Sequence, residues 1–221
     1  MRDLTRRSSP QDLVIVGSGG FGREVADVVR DINASGEVPT WNLLGYLDDA
    51  PSSANVERVH RQGLEILGAV EPHVWPTNPH FVVGINDARV RRRIADRLEW
   101  AGWSPATLIH PTASIGSDCR IGAGTIMCPG SRITTNVQLG RHVHLNPNCT
   151  VGHDTTLCDF VSVNPQAAIS GNVLLESGVV VGAAAFILQG LVAGADCTIG
   201  ASSCVTKSVP ADAVVKGVPA R

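Results

Sequence analysis

The sequence has no two cysteines at CxxC spacing, no long basic run, and no apolar run near the roughly 20 residues that span a bilayer. Each absence narrows the field. The six cysteines, at 119, 128, 149, 158, 197 and 204, lack metal-ligand spacing and read as reduced, mostly buried thiols of a cytoplasmic protein. A net charge of −2 argues against nucleic acid or an anionic membrane as the main partner. Met1 to Gln11 carry Arg2, Arg6 and Arg7 but no apolar segment of the kind a signal peptide needs. With 43% hydrophobic and 17% charged residues, the chain reads as globular rather than disordered. Its 221 residues suffice for one large domain or two small ones.

What is present is a repeat. Steps of six from Ile109 meet Ile115, Ile121, Met127, Ile133, Leu139, Leu145, Val151, Leu157, Val163, Ile169, Leu175, Val181, Ile187, Ala193, Ile199 and Val205. All are apolar and no insertion breaks the register, which neither a helical nor a strand period explains. Two residues earlier in each unit the side chain is mostly small or β-branched, as at Val137, Val143, Cys149, Thr155, Val161 and Ala167. One residue later Gly recurs, at 116, 122, 140, 152, 182, 194 and 200, where it would relieve the steric cost of a sharp or left-handed turn. A six-residue unit is too short to pack alone, so it reads as one short strand and one turn stacked on the next. Three units make a triangular coil, and the coils would stack at about 4.8 Å. This is a hexapeptide β-helix; the period does not give its hand.

Ahead of the repeat, a buried strand (Leu13–Val16) runs into Gly17-x-Gly19-x-x-Gly22, and a helix follows with Val25, Val28, Val29 and Ile32 on one face. That context suits a phosphate at a helix N-terminus. A second strand, Leu43–Leu47, ends in Asp48 and Asp49, and a third, Phe81–Ile85, leads to Asp87. A helix over about 88–100 carries Arg89, Arg91, Arg92, Arg93 and Arg97, read as a solvated face rather than a phosphate clamp. The strand ends should converge on one carboxyl edge, where open α/β sheets bind ligands. About 95 residues allow only one mononucleotide half, so a nucleotide-linked sugar fits better than NAD.

The segments GSGGFGREVADVV, YLDD, GINDARVRRRIADRL, NCTVGHDTTLCDFVSVNPQAAISGNV and VVKGVPAR, in this order, resemble the sugar O- and N-acyltransferases of bacterial surface-glycan pathways. These include sialic acid O-acetyltransferases and UDP-4-amino-sugar and perosamine N-acetyltransferases. The resemblance runs from Leu13 to Arg221. It implies a Rossmann-like nucleotide-sugar-binding domain (1–105), then a left-handed parallel β-helix (106–221). It implies acetyl-CoA as co-substrate, no metal, a homotrimer, and a groove between neighbouring β-helices that holds the CoA. It makes His153 the catalytic base with Asp154 as its acidic neighbour. It places acetyl-CoA at Ser162, Gly171, Ala183 and Ala201, and the nucleotide sugar at Gly19, Gly20, Phe21, Asp48, Asp49, Gly84 and Asp87. Two departures stand out: several relatives carry His where Phe21 stands, and some where Ser162 stands.

His153 comes two residues after the inward Val151, so it should sit on a turn and face out. Neighbouring side chains of a regular strand point to opposite faces, so Asp154 can reach it only if the turn breaks that alternation. Otherwise a backbone carbonyl or Asp159 would orient the ring. The Gly171 amide is the candidate donor to the oxyanion. His110, His142 and His144 read as structural or surface residues. Asn146, Asn148 and Asn164 read as turn caps or an asparagine ladder. The ending, with Lys207, Lys216 and Arg221, leaves the six-residue phase and reads as a cap; those cations would meet CoA phosphates or only solvent. Three rivals remain: a zinc enzyme of the γ-carbonic anhydrase kind, a non-catalytic scaffold, and an NAD-binding protein. Transfer to free sialic acid or another sugar is the alternative within the same chemistry.

Overall fold

The computed structural model describes residues 9–71, 75 and 78–221. Strand β1 (Gln11–Val16) lies at the centre of a parallel five-stranded sheet of order β3-β2-β1-β4-β5. Its neighbours are β2 (Trp41–Leu47) and β4 (His80–Val83), flanked by β3 (Ile66–Gly68) and β5 (Ser104–Pro105). Leu13, Val14, Ile15 and Val16 are all fully buried, as a strand covered on both faces must be. Leu13 and Ile15 pack with Val25 and Val29 of helix α1 (Gly20–Ser35). Val14 and Val16 pack on the other side with Ile94 and Leu98 of helix α3 (Ala88–Trp100). The three strands and two helices expected from sequence are thus present. Helix α2 (Ser53–Arg61), capped by the Ser52 side chain, and β3 were not expected.

From Leu108 the chain becomes a left-handed parallel β-helix of two-residue strands. As far as Val205, each strand pairs with one 18 residues away, as Arg132 with Thr150 and Thr150 with Ala168. Three flat sheets result. The first face has seven strands, from β6 (Leu108–Ile109) to β23 (Val214–Val215). The second has six, from β7 (Ser114–Ile115) to β22 (Cys204–Val205). The third has five, from β8 (Arg120–Ile121) to β20 (Val192–Ala193). The repeat-phase aliphatics and the residues two before them fill the interior; Val151, Leu157, Val163, Cys149 and Val161 are fully buried. Ile115 is 42% exposed, because no coil lies beneath it.

The glycine column has a different cause from the one its phase suggested. The left-handed residue of each turn lies three positions after the aliphatic, not one. Asp118, Asn136, His142, Asn148, Asp154 and Phe160 stand there with φ between 53° and 63°, and Gly124, Gly130, Gly178 and Gly190 fill the same phase. The glycine one position after the aliphatic serves close approach between coils. A Cβ on Gly152 would lie 2.6 Å from the backbone N of Gly171, and one on Gly182 would lie 2.5 Å from the backbone N of Ala201.

Of the α3 arginines, Arg89, Arg93 and Arg97 are exposed as expected, but Arg91 corrects a second expectation. Arg91 is fully buried, not solvated. Its guanidinium donates to the carbonyls of Ile85 and Asn86 in the front domain and of Phe160 in the solenoid, and to Ser162 Oγ. Arg92 lies over the Phe160 ring, 5.1 Å from its centroid, and Arg89 pairs with Asp212. One face of α3 is therefore the seam between the two parts, because carbonyls on both sides need donors. His142 is part of the same seam: its ring stacks on Phe160 and its Nε2 meets Glu99 Oε1 at 2.8 Å. His110 pairs with Asp31 of α1 at 2.9 Å. Asn146 donates to the Val163 carbonyl and to Asn164 Oδ1, a short ladder, while Asn148 takes the left-handed turn position. At the end, Val214–Val215 adds the last strand of the first face and Ala220 N donates to the Cys204 carbonyl, so the tail covers the open coil.

Candidate active site

The carboxyl ends of β1, β2 and β4 meet around a cavity of about 520 Å³. Gly19, Gly20, Phe21, Asp48, Asp49 and Gly84 line it. The motif glycines divide by role. Gly17 has φ 96°, and a Cβ on Gly22 would strike the Gly17 carbonyl, so these two serve the turn itself. A Cβ on Gly19 or Gly20 would meet nothing within 4 Å. Those two leave space beside the start of α1, where no side chain caps the helix. Free amides at a helix start, with room in front of them, suit a phosphate.

The acidic residues here are anchored. Asp48 Oδ2 accepts from the Ser18 amide at 2.8 Å and the Ser18 hydroxyl at 2.6 Å, and Oδ1 accepts from the Ala50 amide. Burial alone would raise this carboxyl, but the Ser18 and Ala50 hydrogen bonds outweigh it and hold the group below the usual carboxylate range. Asp49 Oδ1 accepts from the Val70 amide. Asp87 stands apart from this cavity. It caps α3 by accepting from the amides of Arg89 and Val90, and it lines a separate cleft with Gly178 and Asp212. Asn86 and Asn55, not expected from sequence, line the cavity in its place.

His153 lies on the corner between the second and third faces of the solenoid, with its side chain 52% exposed. Asp154 holds φ 58°, and that left-handed step breaks the strand alternation. Both side chains therefore turn the same way, and Asp154 Oδ2 lies 2.7 Å from His153 Nδ1. Asp154 Oδ1 accepts from Asn136 Nδ2 at 2.8 Å. These bonds, from Asn136 first and His153 second, hold the Asp154 carboxyl below the usual range, so it is ionised at neutral pH. An anionic acceptor at Nδ1 favours the tautomer with its proton on Nδ1, which leaves Nε2 a free base. Asp159 plays no part here, because it bonds Arg141. Asn136 sits 18 residues before Asp154, one coil below, and the coil period could have found it.

Gly171 lies one coil above His153 and floors its ring. A Cβ there would stand 2.5 Å from both Cε1 and Nε2. The other expected acetyl-CoA positions are elsewhere. Ala183 and Ala201 are exposed and stacked on the corner between the first and second faces. Ser162 is fully buried on the first face, its hydroxyl held by Arg91. Among the described residues no group of three His, Cys, Asp or Glu could hold a metal ion. Burial pushes the thiols of Cys128 and Cys149 up to about 12, which makes them poor nucleophiles. Among the described residues no helix is long and apolar enough to cross a membrane.

Residues 12–98 match the family model of the PglD N-terminal domain. No curated protein matches the sequence. Among solved structures, the acetyltransferase domain of PglB from Neisseria gonorrhoeae FA1090 is 26% identical with a TM-score of 0.82, over 96% of this chain and 98% of that one. WeeI from Acinetobacter baumannii AYE is 27% identical with a TM-score of 0.83, over 95% and 98%. A mutant perosamine N-acetyltransferase from Caulobacter crescentus, solved in complex with CoA and GDP-perosamine, is 26% identical with a TM-score of 0.81, over 95% of each chain. The match covers both parts of the fold and their order. The chain thus joins a PglD N-terminal domain to a left-handed β-helix, in the same order as these acetyltransferases, and is an acyltransferase.

Proposed function

We propose that the chain transfers acetyl from acetyl-CoA to the amine of a nucleotide-linked amino sugar, with His153 as general base and Asp154 as the group that orients it. The observation that carries this is the His153–Asp154 contact at 2.7 Å, with Nε2 left free. Nε2 takes a proton from the amine as its nitrogen attacks the thioester carbonyl carbon. The tetrahedral oxyanion collapses, the carbon–sulfur bond breaks, and the proton passes to the CoA thiolate. The amide at Gly171, beside the ring, is our choice of oxyanion donor. The open helix start at Gly19–Gly20 is the seat for the diphosphate, and Phe21, Asp48, Asp49 and Gly84 surround the rest of the nucleotide sugar. Asp87 would reach it only from the neighbouring cleft. Relatives of this fold have been solved with acetyl coenzyme A and with CoA and GDP-perosamine, which supports both ligand classes.

The proposed assembly is a homotrimer. The front domain covers the first face, whereas His153 lies on the opposite corner, so a base and a nucleotide cavity from different copies can meet. Phe186, Leu188 and Val192 leave an exposed apolar strip along the second and third faces that a second copy would cover. Ser162 would contact CoA only if the Arg91 seam opened, so Ala183, Ala201 and Gly171 are the firmer CoA positions. The test is release of free CoA with a panel of UDP-, GDP- and dTDP-linked 4-amino sugars, free sialic acid, and no acceptor. Turnover with a nucleotide-linked amino sugar supports the proposal. Turnover with sialic acid alone would move the acceptor to a hydroxyl, and tight NAD binding without CoA binding would overturn the reading.

A further inference from the structure

His144 is the one buried histidine that the mechanism leaves unused among the described residues and that meets the nucleotide cavity from behind. It belongs to β12 (His144–Leu145) on the first face, and it points outward at the front domain. It is fully buried, yet neither ring nitrogen has a hydrogen-bond partner. The Val83 carbonyl is nearby but does not meet hydrogen-bond geometry. The His144 ring packs against the Phe21 ring, whose centroid is 4.9 Å away. Phe21 lines the cavity and is itself only partly buried. Part of the cavity wall is therefore an aromatic ring with an unsatisfied imidazole packed against it.

A buried polar group without a partner costs stability, and a site that keeps one commonly uses it. Burial drives the ring well below its ordinary range, so it is neutral and offers one donor and one acceptor. That pair matches a sugar hydroxyl or amine, and it does not match a diphosphate, which offers acceptors only. The sugar is also the end of the substrate that carries the reacting amine, so a contact to it selects the acceptor.

We propose that His144 is a sugar-recognition residue: the amino-sugar end of the acceptor displaces the Phe21 ring and hydrogen-bonds to the His144 imidazole. This rests on the acceptor class argued above. The test compares wild type with His144→Leu and His144→Gln, using the amino-sugar nucleotide that turns over and its parent nucleoside diphosphate. In His144→Leu the KM for the amino-sugar nucleotide should rise at least about tenfold. Its Kd for the parent diphosphate and its KM for acetyl-CoA should stay within about twofold, and its Tm should rise by about 2–4 °C as the unsatisfied ring is removed. His144→Gln, which keeps a donor and an acceptor, should recover most of the KM. In wild type, the ¹⁵N signals of the His144 ring should shift with the amino-sugar nucleotide and not with the diphosphate. An unchanged KM in His144→Leu, or ¹⁵N signals that ignore the amino-sugar nucleotide, would overturn the proposal alone. Failure of every nucleotide-linked amino sugar to turn over would overturn the acceptor class and this proposal with it.

Discussion

Gly171→Ala is the substitution whose consequence the structure states most sharply. The added Cβ would stand 2.5 Å from His153 Cε1 and Nε2 and 2.9 Å from Nδ1. Ordinary carbon contact begins near 3.5 Å, so the ring must move by about 1 Å. It can do so at little cost, because the His153 side chain is 52% exposed and its bond to Asp154 is a surface one. Gly171 itself does not hold a left-handed φ, so alanine is no strain on the backbone there. Stability should therefore change little while geometry at the base is lost. A displacement of 1 Å costs about 100-fold in rate. The assay is kcat by CoA release, alongside Tm. We expect a fall of about 100-fold in kcat with Tm within about 2 °C of wild type. A kcat within threefold of wild type would refute the placement of the reacting nitrogen against Gly171.

Five further outcomes follow from the same structure. Asp154→Asn should lower kcat by about 100-fold or more by releasing the Nδ1 tautomer, with no loss of CoA binding, as read by kinetics and calorimetry. Arg91→Met should leave the carbonyls of Ile85 and Phe160 without donors, and that of Asn86 with only the Ser162 hydroxyl at 3.5 Å, and cost about 3 kcal/mol, seen as a Tm lower by about 6–12 °C. Gly152→Ala should destabilise the solenoid by backbone collision, whereas Gly19→Ala should leave Tm unchanged and raise the KM of the nucleotide acceptor. Asp48 is held below its ordinary range, so its contribution to stability is complete above the unfolded value near pH 4 and is lost as pH falls through the folded value. The stability gap between wild type and Asp48→Asn, read by denaturant titration, should be flat from about pH 5 to 8 and close at acid pH.

Much of the fold was legible because its period is written in the chain. The inward column at Val151, Leu157, Val163 and Ile169 is the column that steps of six pick out. The glycine column was legible in position but not in cause, since sequence shows that a Cβ is absent and not whether φ or a neighbouring coil requires it. Arg91 was misread because a helix pattern tells which residues share a face, not what that face meets; the solenoid covers it 69 residues later in the chain. His142 is structural, as its sequence context suggested, but its partners Phe160 and Glu99 come from that same long-range packing. The contact of His153 with Asp154 hinged on one torsion, and adjacent residues in sequence could not decide it. Helix α2 escaped notice because it buries little beyond Val59. Asp87 read as a ligand group, while its position before the helix of Ala88–Trp100 equally fits the cap it provides.

The most direct test of the central claim is release of CoA from acetyl-CoA by wild type and by His153→Ala with a nucleotide-linked 4-amino sugar as acceptor. Our account predicts a loss of about 1,000-fold in kcat, with Tm and CoA affinity unchanged, since the side chain is half exposed and serves only as base. Turnover in His153→Ala within tenfold of wild type would contradict it, and would leave the acyltransferase without the base assigned to it here.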